Sequence, residues 1–271
     1  MSMLETILNI NPERIAVTEL FGAIGSPQRT AEYGRMMKAI EENGRIRALV
    51  VDIDSPGGGA GASEYLHNAI ARVARRKPVV ACIRGMGASG AYMAACGATR
   101  IIAVPMALVG SIGVISMRPM LHEALDRIGV RVQVTKSGRL KDMFSSFREP
   151  TPEEEQKEQA LMDSVYARFV DMVAAARRME PERARELATG ELFSADQAKE
   201  NGLIDDLGDL DTAIDLAQSL AEAPERKVVY VRPHRSLRDR LLNNVSVAAV
   251  DAFTNAFEAR LRDRQIELRY R

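Results

Sequence analysis

Tryptophan is absent and aromatic residues make up only 5% of the 271 positions, so little is available for base-stacking platforms or aromatic sugar sites. An excess of one charge is missing too. Lys plus Arg and Asp plus Glu both number 37, for a formal net charge of zero, which argues against nucleic acid as the main partner. Cysteine is nearly absent: Cys82 and Cys96 lie in apolar stretches and read as buried free thiols, pointing to a reducing compartment. No run approaches the ~18 consecutive apolar residues that span a bilayer, and residues 1–12 lack the basic start and apolar centre of a signal peptide. A soluble, cytoplasmic protein without a transmembrane anchor is expected. Histidine is scarce as well, with three in all, which limits the choice of catalytic base.

What is present is an alternation of short β-branched apolar runs with helical periods. Residues 14–21, 48–53, 79–83 and 100–104 read as strands, and residues 30–43, 64–75 and 91–96 as the helices between them. That spacing predicts an α/β fold with a mostly parallel sheet and right-handed crossovers. Residues 107–116 look β-like, 119–128 helical, and 131–135 (R-V-Q-V-T) like a strand; 136–150 read as an ordered loop. Thr151 caps a long helix to about Met179, with Leu161, Val165, Phe169, Met172 and Ala176 as its expected core stripe. Helices at 181–189, 194–201 and 210–220 follow, then a strand at 228–231. From Glu225 onward 11 basic and 6 acidic residues give a local excess of +5. Leu241, Val245, Val250, Phe253 and Phe257 recur there at helical spacing. Two parts are expected: a domain over residues 1–224, and a basic tail over 225–271 that packs on the body or on a second copy, or meets an anionic membrane surface.

Three glycine-rich turns fall at the ends of these strands: D-S-P-G-G-G at 54–59, G-M-G-A-S-G at 85–90 and G-S-I-G at 110–113. In open α/β sheets such ends form the ligand crevice. Ser89, between Gly87 and Gly90 at a strand-to-helix joint, has little steric cover and free backbone N–H groups beside it, as a nucleophile needs. The same pattern also suits a tight turn with no chemistry. A base is still required. His67 and His122 fall within helices and His234 in the tail, so a Ser/His/Asp triad is disfavoured. A lysine can replace histidine where an apolar pocket lowers its pKa from about 10.4 to about 7, a differential destabilisation of roughly 4–5 kcal/mol. Lys141, between Leu140 and Met143, has that kind of neighbourhood, although an ordinary surface lysine fits it equally well.

Taken together, V-D-I-D-S-P-G-G (51–58), G-M-G-A-S-G-A-Y (85–92), V-G-S-I-G-V (109–114), T-K-S-G-R-L-K-D (135–142) and F-S-A-D-Q-A-K-E-N-G-L-I-D-D-L-G (193–208) resemble the signal peptide peptidase A type of serine proteases. That family has the Clp protease/crotonase-like fold, a spiral of β-α units with a helical C-terminal part. The resemblance implies Ser89 as nucleophile, Lys141 as its general base, Ser111 supporting the lysine amine, and the N–H groups of Gly58 and Gly90 as the oxyanion hole. It also implies cleavage of remnant signal peptides or other unfolded peptides next to small residues. No cofactor or metal is implied. The expected assembly is a homo-oligomeric ring in which serine and lysine can come from neighbouring subunits. Two alternatives share the fold: a crotonase-type acyl-CoA hydratase or isomerase, which needs paired carboxylates, and a non-catalytic scaffold.

Overall fold

The structure, a computed structural model, describes residues 14–233; the expected tail helix and His234 lie outside them. The compact unit ends at Arg232. Strands β1 (Arg14–Phe21), β2 (Ile46–Ser55) and β3 (Val79–Ala88) run parallel at its centre, joined through helices α1 (Pro27–Glu42) and α2 (Ala60–Ala74). Crossovers of this kind are what parallel neighbours require.

Side chains alternate across these strands. Ile15, Val17, Ala48, Val50, Val80 and Cys82 face one apolar layer, completed by Ala213, Ile214 and Ala217 of helix α8 (Leu210–Leu220). Ala16, Leu49, Val51, Ala81 and Ile83 face the other, which takes Tyr33, Met36, Met37 and Ile40 of α1 together with Leu66, Ile70 and Val73 of α2. Both sheet faces are covered, so the strands read as near-continuous apolar runs.

The sheet forks at β3. Residues 80–83 pair with β4 (Arg100–Ala103), whereas Met86, Gly87 and Ala88 pair with β5 (Leu108–Gly110). Helix α3 (Gly90–Ala95) follows β3 and is buried at every residue. On the outer sides, β5 pairs antiparallel with β6 (Leu192–Ser194), β4 pairs with β7 (Asp206–Leu207), and β8 (Val228–Tyr230) joins β1 in parallel. The fork separates the paths of β4 and β5 and opens a crevice at the C-terminal end of β3.

Helix α5 (Pro152–Arg177) begins in a capping box: the Thr151 side chain accepts from the Glu154 N–H and the Glu154 carboxylate accepts from the Thr151 N–H. Its buried stripe is Phe169, Val170, Val173 and Ala174. Of the expected stripe Phe169 is fully buried, Met172 and Ala176 pack half-buried against the core, and Leu161, in the first half of the helix, is exposed. Helices α6 (Pro181–Leu187) and α7 (Ala195–Glu200) complete the C-terminal part.

Between β5 and α5, residues 111–150 hold one short helix, α4 (His122–Arg127), and otherwise turns and irregular chain. The strand expected at 131–135 does not form. Its alternating pattern needs a partner edge, none is offered to it among the described residues, and Val130, Val132 and Val134 are exposed. The β-like run expected over 107–116 pairs only at 108–110, because the chain turns at Gly110 and Ser111, both at positive φ. Among the described residues no helix is long and apolar enough to cross a membrane.

Candidate active site

Ser89 sits where β3 passes into α3. Its N–H donates to the Gly110 carbonyl of β5 (2.7 Å) and its carbonyl accepts from the Met93 N–H (2.9 Å), so it is held from both sides. Its backbone has φ 51° and ψ −124°, a region costly for a residue with a Cβ, on the order of 1–3 kcal/mol, and met where surrounding structure imposes it. A sharp turn of this kind brings the hydroxyl to the mouth of the crevice.

The turn after β2 lies against it. Gly57 has φ 89° and Gly58 φ 155°. A methyl group on Gly57 would come within 2.6 Å of both the Ala88 carbonyl oxygen and Gly90 N; one on Gly58 would lie 1.8 Å from the Ile24 carbonyl oxygen. One on Gly90 would lie 2.0 Å from Ser63 Oγ and 3.3 Å from Gly58 N. The Gly58–Gly90 pair therefore packs backbone against backbone, which only glycine permits. The flanking groups fix the first turn: Gly59 N–H donates to the Ile24 carbonyl and Ile24 N–H to the Gly57 carbonyl, both at 2.8 Å. Neither the Gly58 nor the Gly90 N–H has an acceptor among the hydrogen bonds of the described residues.

Around Ser89 opens a cleft of about 760 Å³. One wall is formed by Pro56 to Ala60, another by Ser111 and Gly113 to Ile115, and a third by Val165, Tyr166 and Phe169 of α5, with Ala188 to Gly190 closing the far side. The Tyr166 hydroxyl donates to the Ala188 carbonyl (2.9 Å) and ties helix to turn. Ser111, at φ 50°, donates its N–H to the Glu191 carbonyl (2.6 Å). Among the described residues no carboxylate and no histidine lines the cleft. His67 is spent elsewhere, with Nδ1 2.9 Å from the Met93 carbonyl and its pKa lowered by burial. His122 contacts Glu149 at 3.2 Å. Among the described residues no group of three or more His, Cys, Asp and Glu side chains could hold a metal ion.

Four of the five expected site residues, Ser89, Ser111, Gly58 and Gly90, thus meet at one cleft. Lys141 does not line it within this chain. It lies in the turns before α5, exposed and, among the described residues, without a side-chain hydrogen bond or ion pair, although four of its neighbours in the loop are paired, Arg139 with Glu153 among them. Asp142 takes Lys136 and Arg148, whose guanidinium also reaches Glu154. The wall from α5 and the turn at Thr189 and Gly190 were not expected from the sequence. The signal there was Gly190 at φ 88°, over which Gly113 approaches so closely that a methyl group on it would lie 3.3 Å from the Gly190 Cα.

Comparison with known proteins places these features. The model of peptidase family S49 matches residues 71–224. A candidate protease of Synechocystis, slr0021, is 39% identical over 216 residues, covering 80% of this chain and 77% of that protein. Protease 4 of Salmonella typhi is 33% identical over 80% of this chain, and the chloroplastic serine protease SPPA of Arabidopsis thaliana 33% over 79%. The chain spans about a third of the length of these last two, 35% and 33%. Among solved structures, a mutant of the 1510-N membrane-bound stomatin-specific protease superposes at a TM-score of 0.52 over 83% of this chain and all of that one, at 16% identity. A mutant of ClpP1 from Listeria monocytogenes gives 0.51 over 73% and 93%, at 14% identity. The fold is that of the Clp protease/crotonase-like α/β proteins.

Proposed function

The chain belongs to peptidase family S49, and from that premise we propose that it is a serine endopeptidase working through Ser89 and Lys141. One observation supports this most strongly: a serine strained to φ 51° lines the same cleft as Gly58 and Gly90, whose N–H groups have no acceptor among the described residues. Ser89 Oγ attacks the scissile carbonyl while its proton passes to the neutral amine of Lys141. The oxygen that becomes negative meets the N–H groups of Gly58 and Gly90, donors already oriented before the charge appears. Collapse of the tetrahedral species breaks the C–N bond, and the Lys141 ammonium returns the proton to the departing amine. Water, deprotonated in turn by Lys141, then hydrolyses the acyl-enzyme. Ser111, in the same cleft, takes the role of orienting the lysine amine.

A wall of Gly57, Gly58, Gly59, Ala60, Gly113 and Gly190 beside the nucleophile leaves room for extended backbone. It suits unfolded peptides, remnant signal peptides among them, cut next to small residues. The crotonase reading loses ground, because among the described residues no pair of carboxylates lines the cleft.

Lys141 is taken to reach Ser89 from a neighbouring subunit of a homo-oligomeric ring. Residues 113–150 carry the exposed apolar surface such contacts bury: Ile115 is 84% exposed, Met117 88% and Ile128 71%, and Phe144 and Phe147 are half out. The unpaired residues 131–135 could find there the edge they lack. Enclosure by that second copy would strip water from the lysine amine, which is how a lysine becomes a base. The two buried free thiols suit a reducing compartment, so the proposed location is the cytoplasm, with the basic tail available to an anionic membrane surface. The test incubates the wild type, Ser89→Ala and Lys141→Ala with a panel of unfolded peptides and reads the cut sites by mass. Both variants should lose cleavage; activity in Lys141→Ala equal to the wild type would end the assignment of the base.

A further inference from the structure

Lys141 has no partner of its own, but the residue after it is held at several points. Arg148 Nε donates to Asp142 Oδ2 (3.1 Å) and Arg148 Nη2 to the Asp142 carbonyl (3.3 Å). The same guanidinium grips Glu154 with both ends, Nη1 to Oε2 at 2.8 Å and Nη2 to Oε1 at 2.6 Å. Glu154 is only 3% exposed and serves in the capping box that starts α5. Lys136 adds a second cation on Asp142 and donates to the Arg139 carbonyl at 3.1 Å. A continuous run of charge-assisted hydrogen bonds therefore leads from the first turn of α5 through Arg148 to the backbone beside Lys141. Further along, the same helix supplies Val165, Tyr166 and Phe169 to the wall of the Ser89 cleft. One rigid element holds part of the serine's surroundings and anchors the lysine's loop.

Isolated surface ion pairs contribute little, and this arrangement differs from one. The arginine is bidentate to a buried carboxylate and reaches both the side chain and the main chain of Asp142. The loop's other ties include an exposed ion pair between Arg139 and Glu153 of α5 and a hydrogen bond from the Leu121 N–H to the Ser146 carbonyl, and residues 129–139 are exposed throughout. We propose that Arg148 is a positioning residue of the active site, fixing through Asp142 the place from which the Lys141 amine acts, with Glu154 as its anchor on α5. This rests on the reading of Lys141 as the base.

Variants along this run test it, each measured on a peptide substrate with rates normalised to Ser89 titrated by a fluorophosphonate. Arg148→Gln should lower kcat by about 10- to 100-fold with KM changed no more than about 2-fold, because misplacing a catalytic group slows the chemical step and leaves substrate binding alone. Asp142→Asn should act through the same contact, so that the double variant is no slower than the worse single one. Should Arg148→Gln leave Glu154 unpaired and the protein unfolded, Arg148→Ala with Glu154→Gln removes the buried charge while keeping a residue that can close the capping box. The arm stays attached to α5 in each case by Arg118, which pairs with Glu158 at 2.7 Å. A purely structural role would lower the titratable fraction and leave kcat per titrated site at the wild-type value. That result, or additive losses in the double variant, overturns the proposal. If Lys141→Ala is inactive and Arg148→Gln fully active, the positioning role fails and the dyad survives. If Lys141→Ala is fully active, the dyad itself fails.

Discussion

The serine side and the lysine side of this site are built by opposite means. Ser89 and its amides lie on turns of the central sheet, where largely buried strands and contacts between backbones leave a single arrangement. Lys141 lies on an arm that rests on turns, ion pairs and the start of one helix, with its apolar residues turned outward. In the proposed site one half is complete in a single copy of the chain and the other is only prepared. On that proposal, chemistry that depends on bringing the halves together is withheld until the arm is covered.

The contrast can be pressed hardest on the serine side, where nothing can give way. Gly58→Ala forces a methyl group against the Ile24 carbonyl at a backbone conformation side chains avoid, displacing one of the two proposed oxyanion donors. A fall in kcat of about 10²–10³ is expected, read by peptide cleavage against Ser89 labelling. Near-normal kcat would mean the Gly58 amide is no donor. Gly90→Ala should do similar damage for a different reason, since its methyl group meets the buried side chain of Ser63. Adding Ser63→Gly should recover part of that loss, and no recovery would assign the damage to the Gly90 backbone instead.

On the lysine side the expected effects are smaller and depend on pH. The Arg148 guanidinium, with the Thr151 N–H, holds the Glu154 carboxyl down at about 2, against an ordinary value of 4.5; Arg148 and Lys136 depress Asp142 as well. A folded-state pKa below the unfolded one contributes stability that is whole above the unfolded value and fades as pH falls toward the folded one. Thermal unfolding should therefore show Arg148→Gln less stable than wild type at pH 6, with the gap narrowing between about pH 4.5 and 2. A gap that stays constant across that window would mean that these carboxylates gain nothing from the arginine.

The serine half was legible in the sequence because its causes are local. Short β-branched runs fix the strands, and glycines at Gly57, Gly58 and Gly90 mark turns that no other residue could make. Even there β3 runs on to Ala88, past Gly85 and Gly87 that look like breakers, because pairing with β2 and β5 outweighs their propensity and a side chain on Gly87 would strike Ile83. The proposed lysine half rests on a resemblance of motifs alone. An alternating pattern such as residues 131–135 states that a partner is needed without stating which one, and the stripe of α5 shifts by a residue where the helix leaves the core. Arg148 gave no signal at all, since its partners Asp142 and Glu154 are ordinary charges until the chain folds them together.

The most direct test of the two-copy site mixes Ser89→Ala and Lys141→Ala subunits, each inactive alone, after dissociation and reassembly. If serine and lysine come from different copies, sites that pair an intact Ser89 with an intact Lys141 form in the mixed oligomer and peptide cleavage returns. Mixed oligomers, verified by tagged subunits, that stay as inactive as either parent would contradict the account.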